Sequence, residues 1–158
     1  MLVIPAIDLK EGKCVRLWQG MRNRETIYSE DPLEVAALWR EKGAKRLHVV
    51  DLNGAFSGVP VHLELVERIK RAVSIPIEYG GGIRTLDTLE KVIEKGIDFP
   101  IIGTKALSEE FIKKAVDRFG ERIIVSVDCR CDKVALKGWE LEVPVSMKEL
   151  GRSLTRTG

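Results

Sequence analysis

The sequence lacks any long apolar run. The longest, residues 2–7 and 123–127, are strand-sized and far short of the roughly 20 residues that span a bilayer. Nothing at the start reads as a basic segment followed by an apolar stretch, and Asp8 interrupts the first run early. That argues against a signal peptide, so a cytoplasmic location without a membrane partner is expected. Charge of one sign is missing too: 26 basic and 24 acidic residues are scattered along the chain, for a net charge of +2. Without a basic block, an Arg-rich helix or aromatic–basic interleaving, no nucleic-acid partner is expected. Cysteine is scarce. Cys14, Cys129 and Cys131 form no disulfide framework, and a single residue between the last two is poor zinc-ligand spacing. Reduced thiols and no bound metal are the expectation.

What remains is the composition of a globular protein: 44% apolar and 32% charged residues in 158, enough for one domain with a substantial core. Strand-like apolar runs recur at residues 2–7, 46–50, 75–79, 100–103 and 123–127. Between them lie helical periodicities. Leu33, Ala36, Ala37 and Arg40 follow Asp31-Pro32, a cap and a first-turn proline. Leu63, Val66 and Ile69 mark the second, and Leu86, Leu89, Val92 and Ile93 the third, with Gly96 as its stop. Phe111, Ile112, Ala115 and Val116 mark the fourth, between Ser108 and Gly120, and a fifth begins near Ser146 with Met147 and Leu150. Residues after Leu150 read poorly as a continuation of that helix.

Such alternation predicts an α/β fold with a parallel sheet covered by helices. An open nucleotide-binding sheet usually carries its glycine fingerprint after the first strand. Here that position reads Ile7-Asp8-Leu9-Lys10-Glu11-Gly12, and the glycine-rich turn comes after the third strand. This favours a (β/α)8 TIM barrel, of which residues 1–158, one partial domain, supply about five units. Such a piece is expected to expose two sheet edges and an apolar barrel interior, and therefore to self-associate.

An internal echo points to a site. Ile7-Asp8-Leu9-Lys10 closes the first strand and Val127-Asp128-Cys129-Arg130 the fifth; Lys13-Cys14-Val15 and Lys133-Val134-Ala135 follow. In a closed barrel strands one and five lie opposite each other, so the two aspartates face across the mouth where barrel sites sit. A carboxylate where a buried run meets a loop is costly unless paired or used; the plain alternative is pairing with Lys10 or Arg130. Gly80-Gly81-Gly82-Ile83-Arg84-Thr85 offers backbone N–H groups and a helix start to an anion. Its plain alternative is a tight turn. Ile102-Gly103-Thr104 provides a second small turn beside it. His48 is a candidate substrate contact or a hydrogen-bonded core histidine, and Asp51 ends its strand. Arg16, Gln19 and Trp139 fall in the loops that follow the two aspartates.

Together, residues 4–10, Val15-Arg16-Leu17-Trp18-Gln19-Gly20, His48-Val49-Val50-Asp51-Leu52, Gly80-Gly81-Gly82-Ile83-Arg84, Ile102-Gly103-Thr104 and Lys137-Gly138-Trp139 resemble one family. It is the phosphoribosylformimino-aminoimidazole carboxamide ribotide isomerases of histidine biosynthesis. The resemblance implies a (β/α)8 barrel without metal or organic cofactor, acting on a phosphorylated ribonucleotide by an Amadori rearrangement. It implies Asp8 as proton acceptor and Asp128 as proton donor. Gly81, Gly82, Gly103 and Thr104 match the family's phosphate site, and Arg16, His48 and Trp139 its substrate contacts. The family's strands six to eight have no counterpart here. Met21 and Asn53 stand where aspartates are usual, and Pro100 is expected only at a strand's first residue. The alternatives left open are an inactive phosphate-binding fragment, the related cyclase subunit of imidazole glycerol phosphate synthase, and an isomerase that also serves tryptophan synthesis. Pro5-Ala6-Ile7-Asp8 lacks the cysteine expected in the cyclase.

Overall fold

The computed structural model describes residues 1–130, 133–136 and 141–156, with the backbone alone at residues 130, 133–136 and 141–144. Its main sheet is built on β1 (Ala6–Lys10), β4 (Leu47–Asp51), β5 (Ile77–Gly80), β6 (Phe99–Ile102) and β7 (Ile124–Val125), which run parallel in that order. Crossover helices α1 (Pro32–Glu41), α3 (Leu63–Val73), α4 (Leu86–Glu94) and α5 (Glu109–Phe119) join them. These are the five strands and four helices read from periodicity.

Local chemistry sets the helix bounds. Asp31 accepts from the N–H groups of Leu33 and Glu34, with Pro32 in the first turn of α1. Thr85 caps α4 and Ser108 caps α5 in the same way. Gly96 and Gly120 follow α4 and α5 at φ 83° and 60°, the left-handed region that stops a helix cheaply only at glycine.

Alternation along the parallel strands separates two faces. Ile7, Leu9, Leu47, Val49, Ile77 and Tyr79 are buried in one core with Val66, Ile69, Leu89, Val92, Ile112 and Ala115 of the helices. The opposite, inward face was expected to be apolar. Instead its rows read Ala6–His48–Glu78–Phe99 and then Asp8–Val50–Gly80–Ile101. Three adjacent strands, β1, β4 and β5, therefore place ionisable side chains there.

Other expectations change. The segment after the first strand is not a simple loop: β1 turns back as a hairpin into β2 (Lys13–Leu17), and β3 (Glu25–Ser29) extends the sheet edge. A short helix α2 (Leu52–Ser57) follows β4. Pro100 is the second residue of β6, not its first; β7 pairs only with Ile101 and Ile102, so Pro100 has a strand partner on one side. The final helix α6 (Met147–Leu154) continues to Leu154, held by a capping box between Ser146 and Glu149, with Leu150 buried and Leu154 against the core.

The echo between the two aspartate segments is structural. A second sheet holds β8 (Asp128–Arg130), β9 (Lys133–Leu136) and β10 (Leu141–Ser146) in the order β10-β9-β8. Asp8 pairs with Val15 and Lys10 with Lys13 in one hairpin; Asp128 pairs with Ala135 and Arg130 with Lys133 in the other. Both hairpins are followed by a third antiparallel strand and then a helix.

Candidate functional site

Asp8 sits mid-strand rather than at a strand end. Because β1 outruns its parallel neighbour and continues into the hairpin, Asp8 pairs with Val50 next to the last residue of β4. It thus lies at the C-terminal rim of the parallel sheet, as barrel chemistry requires. Its carboxyl is held above the ordinary aspartate value by burial, which outweighs the opposing pull of Arg16 and His48. Arg16 belongs to β2, and its Nη1 lies 3.6 Å from Asp8 Oδ2.

Asp128 opens the second sheet, directly after the short β7. The residue is exposed as a whole, yet protein crowding around its carboxyl raises it above the usual carboxylate range. Both aspartates therefore hold a proton more readily than a free side chain, and for the same leading reason.

His48 lies one row below Asp8 on the inward face. Its Nδ1 is 3.0 Å from Oε2 of Glu78, whose Oε1 accepts from Arg46 at 2.9 Å. Arg46 in turn stacks over Phe99, 4.1 Å from the ring centre. Burial alone would raise Glu78, but the hydrogen bonds from His48 and Arg46 reverse the sign and hold it below the ordinary glutamate value.

The glycine turn has a packing reason of its own. Gly81 at φ 129° and Gly82 at φ 82° adopt conformations that favour glycine. A Cβ on Gly81 would stand 2.3 Å from the Asp51 carbonyl oxygen, and one on Gly82 2.3 Å from the Val59 carbonyl carbon. Both glycines let the turn close against the connection between β4 and α3. Gly103 differs: its φ is negative, and a Cβ there would meet open space. Thr104 begins a 3-10 turn over Thr104–Leu107.

Asp51 organises this side of the site. It is wholly buried. Its Oδ1 accepts from Gly54 N at 2.8 Å, while Oδ2 accepts from Val61 N at 2.7 Å, His62 N at 2.8 Å and the Tyr79 hydroxyl at 3.0 Å. The sequence marked Asp51 only as a strand end; its place as a cap directly before α2, three residues ahead of Gly54, was the available signal. Glu78 was missed as well, although a glutamate inside Ile77-Glu78-Tyr79 is a carboxylate in an otherwise apolar central strand. Asn53, where an aspartate was expected, accepts from Glu11 N at 2.9 Å and lies 3.0 Å from His62 Nε2, tying the first hairpin turn to α2.

The structure thus brings Asp8, Arg16 and His48 together, and sets Gly81 and Gly82 against the Asp51 connection. Trp139, with Lys137 and Gly138, lies outside the described residues, as does Cys131. Among the described residues no helix is long and apolar enough to cross a membrane.

A family model described as "Histidine biosynthesis protein" matches residues 2–158. The chain belongs to this histidine-biosynthesis family. Similar curated proteins are named 1-(5-phosphoribosyl)-5-((5-phosphoribosylamino)methylideneamino)imidazole-4-carboxamide isomerase. The one from Pelotomaculum thermopropionicum is 47% identical over 159 residues, covering 100% of this chain and 61% of the relative. Those from Acinetobacter baumannii and Magnetococcus marinus are 49% and 45% identical, again over 100% of this chain and 66% and 64% of their own lengths. The chain therefore spans a little under two thirds of these relatives. With the family comes the TIM-barrel fold, and the five parallel strands with their crossover helices form part of such a barrel.

Proposed function

We propose that the chain serves an aldose–ketose isomerase that carries out an Amadori rearrangement on a phosphoribosyl imidazole-carboxamide ribonucleotide. The observation that carries this reading is Asp8, a partly buried carboxyl at the sheet's C-terminal rim between Arg16 and His48. The relatives' shared name supplies the substrate class.

The chemistry asks for two carboxyl groups. As the aminoaldose ring opens to an iminium, a protonated acid gives its proton to the ring oxygen; Asp128, raised by burial, suits that step. A carboxylate then removes the C2′ proton to give an enolamine, which tautomerises to the ketone. Asp8 fits that role, because Arg16 and His48 favour its ionised form. Backbone N–H groups near Gly81, Gly82, Gly103 and Thr104 would hold a terminal phosphate. Trp139 would contact the substrate, and no metal or organic cofactor enters any step.

The test is conversion by the purified chain of the phosphorylated aminoaldose, set beside the same compound stripped of its phosphates. Conversion of the first alone supports the reading. No conversion of either contradicts it.

A further inference from the structure

The inward face carries one buried ionisable group for which the isomerisation has no use, Glu78. It is 8% exposed and lies directly beside His48 in the same row of the sheet. Arg46 fixes one carboxylate oxygen with a guanidinium that also lies over Phe99, and the second oxygen is left for His48. An ionised carboxylate only accepts hydrogen bonds, so the proton between Glu78 and His48 belongs to the imidazole Nδ1. A neutral imidazole has one N–H. Its placement at Nδ1 makes Nε2 an acceptor.

We propose that Glu78, anchored by Arg46, is a positioning residue that locks His48 in its Nδ1–H tautomer and so presents Nε2 as a hydrogen-bond acceptor to a substrate hydroxyl beside Asp8. The role of His48 as a substrate contact rests on the isomerase reading above; its tautomer does not. The second histidine gives an internal contrast. Asn53 Oδ1, which already accepts from Glu11 N, faces His62 Nε2, so His62 carries its proton on Nε2. The chain's two histidines thus hold opposite tautomers, each set by one acceptor.

Long-range proton–nitrogen correlation spectra of the histidine-labelled chain, recorded without substrate at a pH where both rings are neutral, read this directly. The expected spectrum has one Nδ1–H and one Nε2–H ring. Glu78→Gln, which keeps an acceptor, retains the pattern, whereas Glu78→Leu, which has none, moves His48 toward Nε2–H. Substrate KM then rises about tenfold in Glu78→Leu, the loss of roughly one hydrogen bond, and stays near wild type in Glu78→Gln. An Nε2–H ring at His48 in the wild-type chain overturns the proposal even if Glu78→Leu does not fold. A displaced tautomer with unchanged KM overturns the positioning role alone. A wild-type chain with the expected spectrum but no turnover overturns the isomerase reading and upholds the tautomer lock.

Discussion

Arg16 reaches across the first hairpin to within 3.6 Å of the Asp8 carboxylate. It opposes the burial that raises the Asp8 carboxyl. In the proposed role of proton acceptor Asp8 works only when ionised, so activity is expected to fall as pH drops through its value. Arg16→Gln removes the opposing charge and raises that value further. The acid limb of the pH–rate profile is expected to move to higher pH in the variant, with the rate well above that limb less affected. A limb that stays put or moves to lower pH would contradict this.

Asp128 trades stability for its raised proton affinity. A carboxyl held above its unfolded value favours the folded state while protonated, and that advantage is lost as pH rises through the folded value. Asp128→Asn is therefore expected to be more stable than the parent chain at neutral pH, with the difference vanishing in acid below the ordinary carboxylate range. Thermal unfolding at the two pH values checks the sign.

The carboxylate of Asp51 gathers three backbone N–H groups and the Tyr79 hydroxyl. Asp51→Ala would bury those donors unpaired and is expected to cost about 3 kcal/mol or more in unfolding free energy. Tyr79→Phe removes the hydroxyl's bond to Asp51 and its longer one to the Gly81 carbonyl, and should cost about 1–2 kcal/mol. Denaturant melts of both variants measure the ratio.

Gly81 and Gly103 distinguish packing from the proposed phosphate binding. Gly81→Ala places a Cβ 2.3 Å from the Asp51 carbonyl oxygen at φ 129° and is expected to unfold or strongly destabilise the chain. Gly103→Ala meets open space at an ordinary φ. It should leave stability within about 0.5 kcal/mol while weakening phosphate binding, measured by calorimetry with inorganic phosphate.

Cys14 of β2 is buried in the core, and burial, helped by Asp31 and Asp8, pushes its thiol up to about 11. A thiol so held is nearly devoid of thiolate at neutral pH. Alkylating reagents at pH 7 are expected to leave Cys14 unmodified until the chain is unfolded, as mass spectrometry of the digested protein would register.

The parallel strands and their helices were legible because one face of each strand packs as an apolar row against apolar helix faces, and because Asp31 and Ser108 mark helix starts chemically. The hairpin strands were not. Residues 25–29 of β3 are mostly exposed at the sheet edge, where pairing is set by the neighbouring strand and leaves no apolar pattern. The six residues of α2 are too few to show a helical period. Asp8 and His48 announced themselves as polar groups at strand positions. Glu78 and Asp51 did not, because apart from Gly54 their partners lie from 10 to 32 residues away in sequence and meet them only once the sheet has formed.

The central claim is that Asp8 removes the C2′ proton. Single-turnover conversion at saturating phosphorylated aminoaldose, in the wild-type chain and in Asp8→Asn, tests it most directly. The account predicts that Asp8→Asn binds the substrate with near-wild-type affinity and converts it at least about a hundredfold more slowly. Equal rates in the two proteins would contradict it.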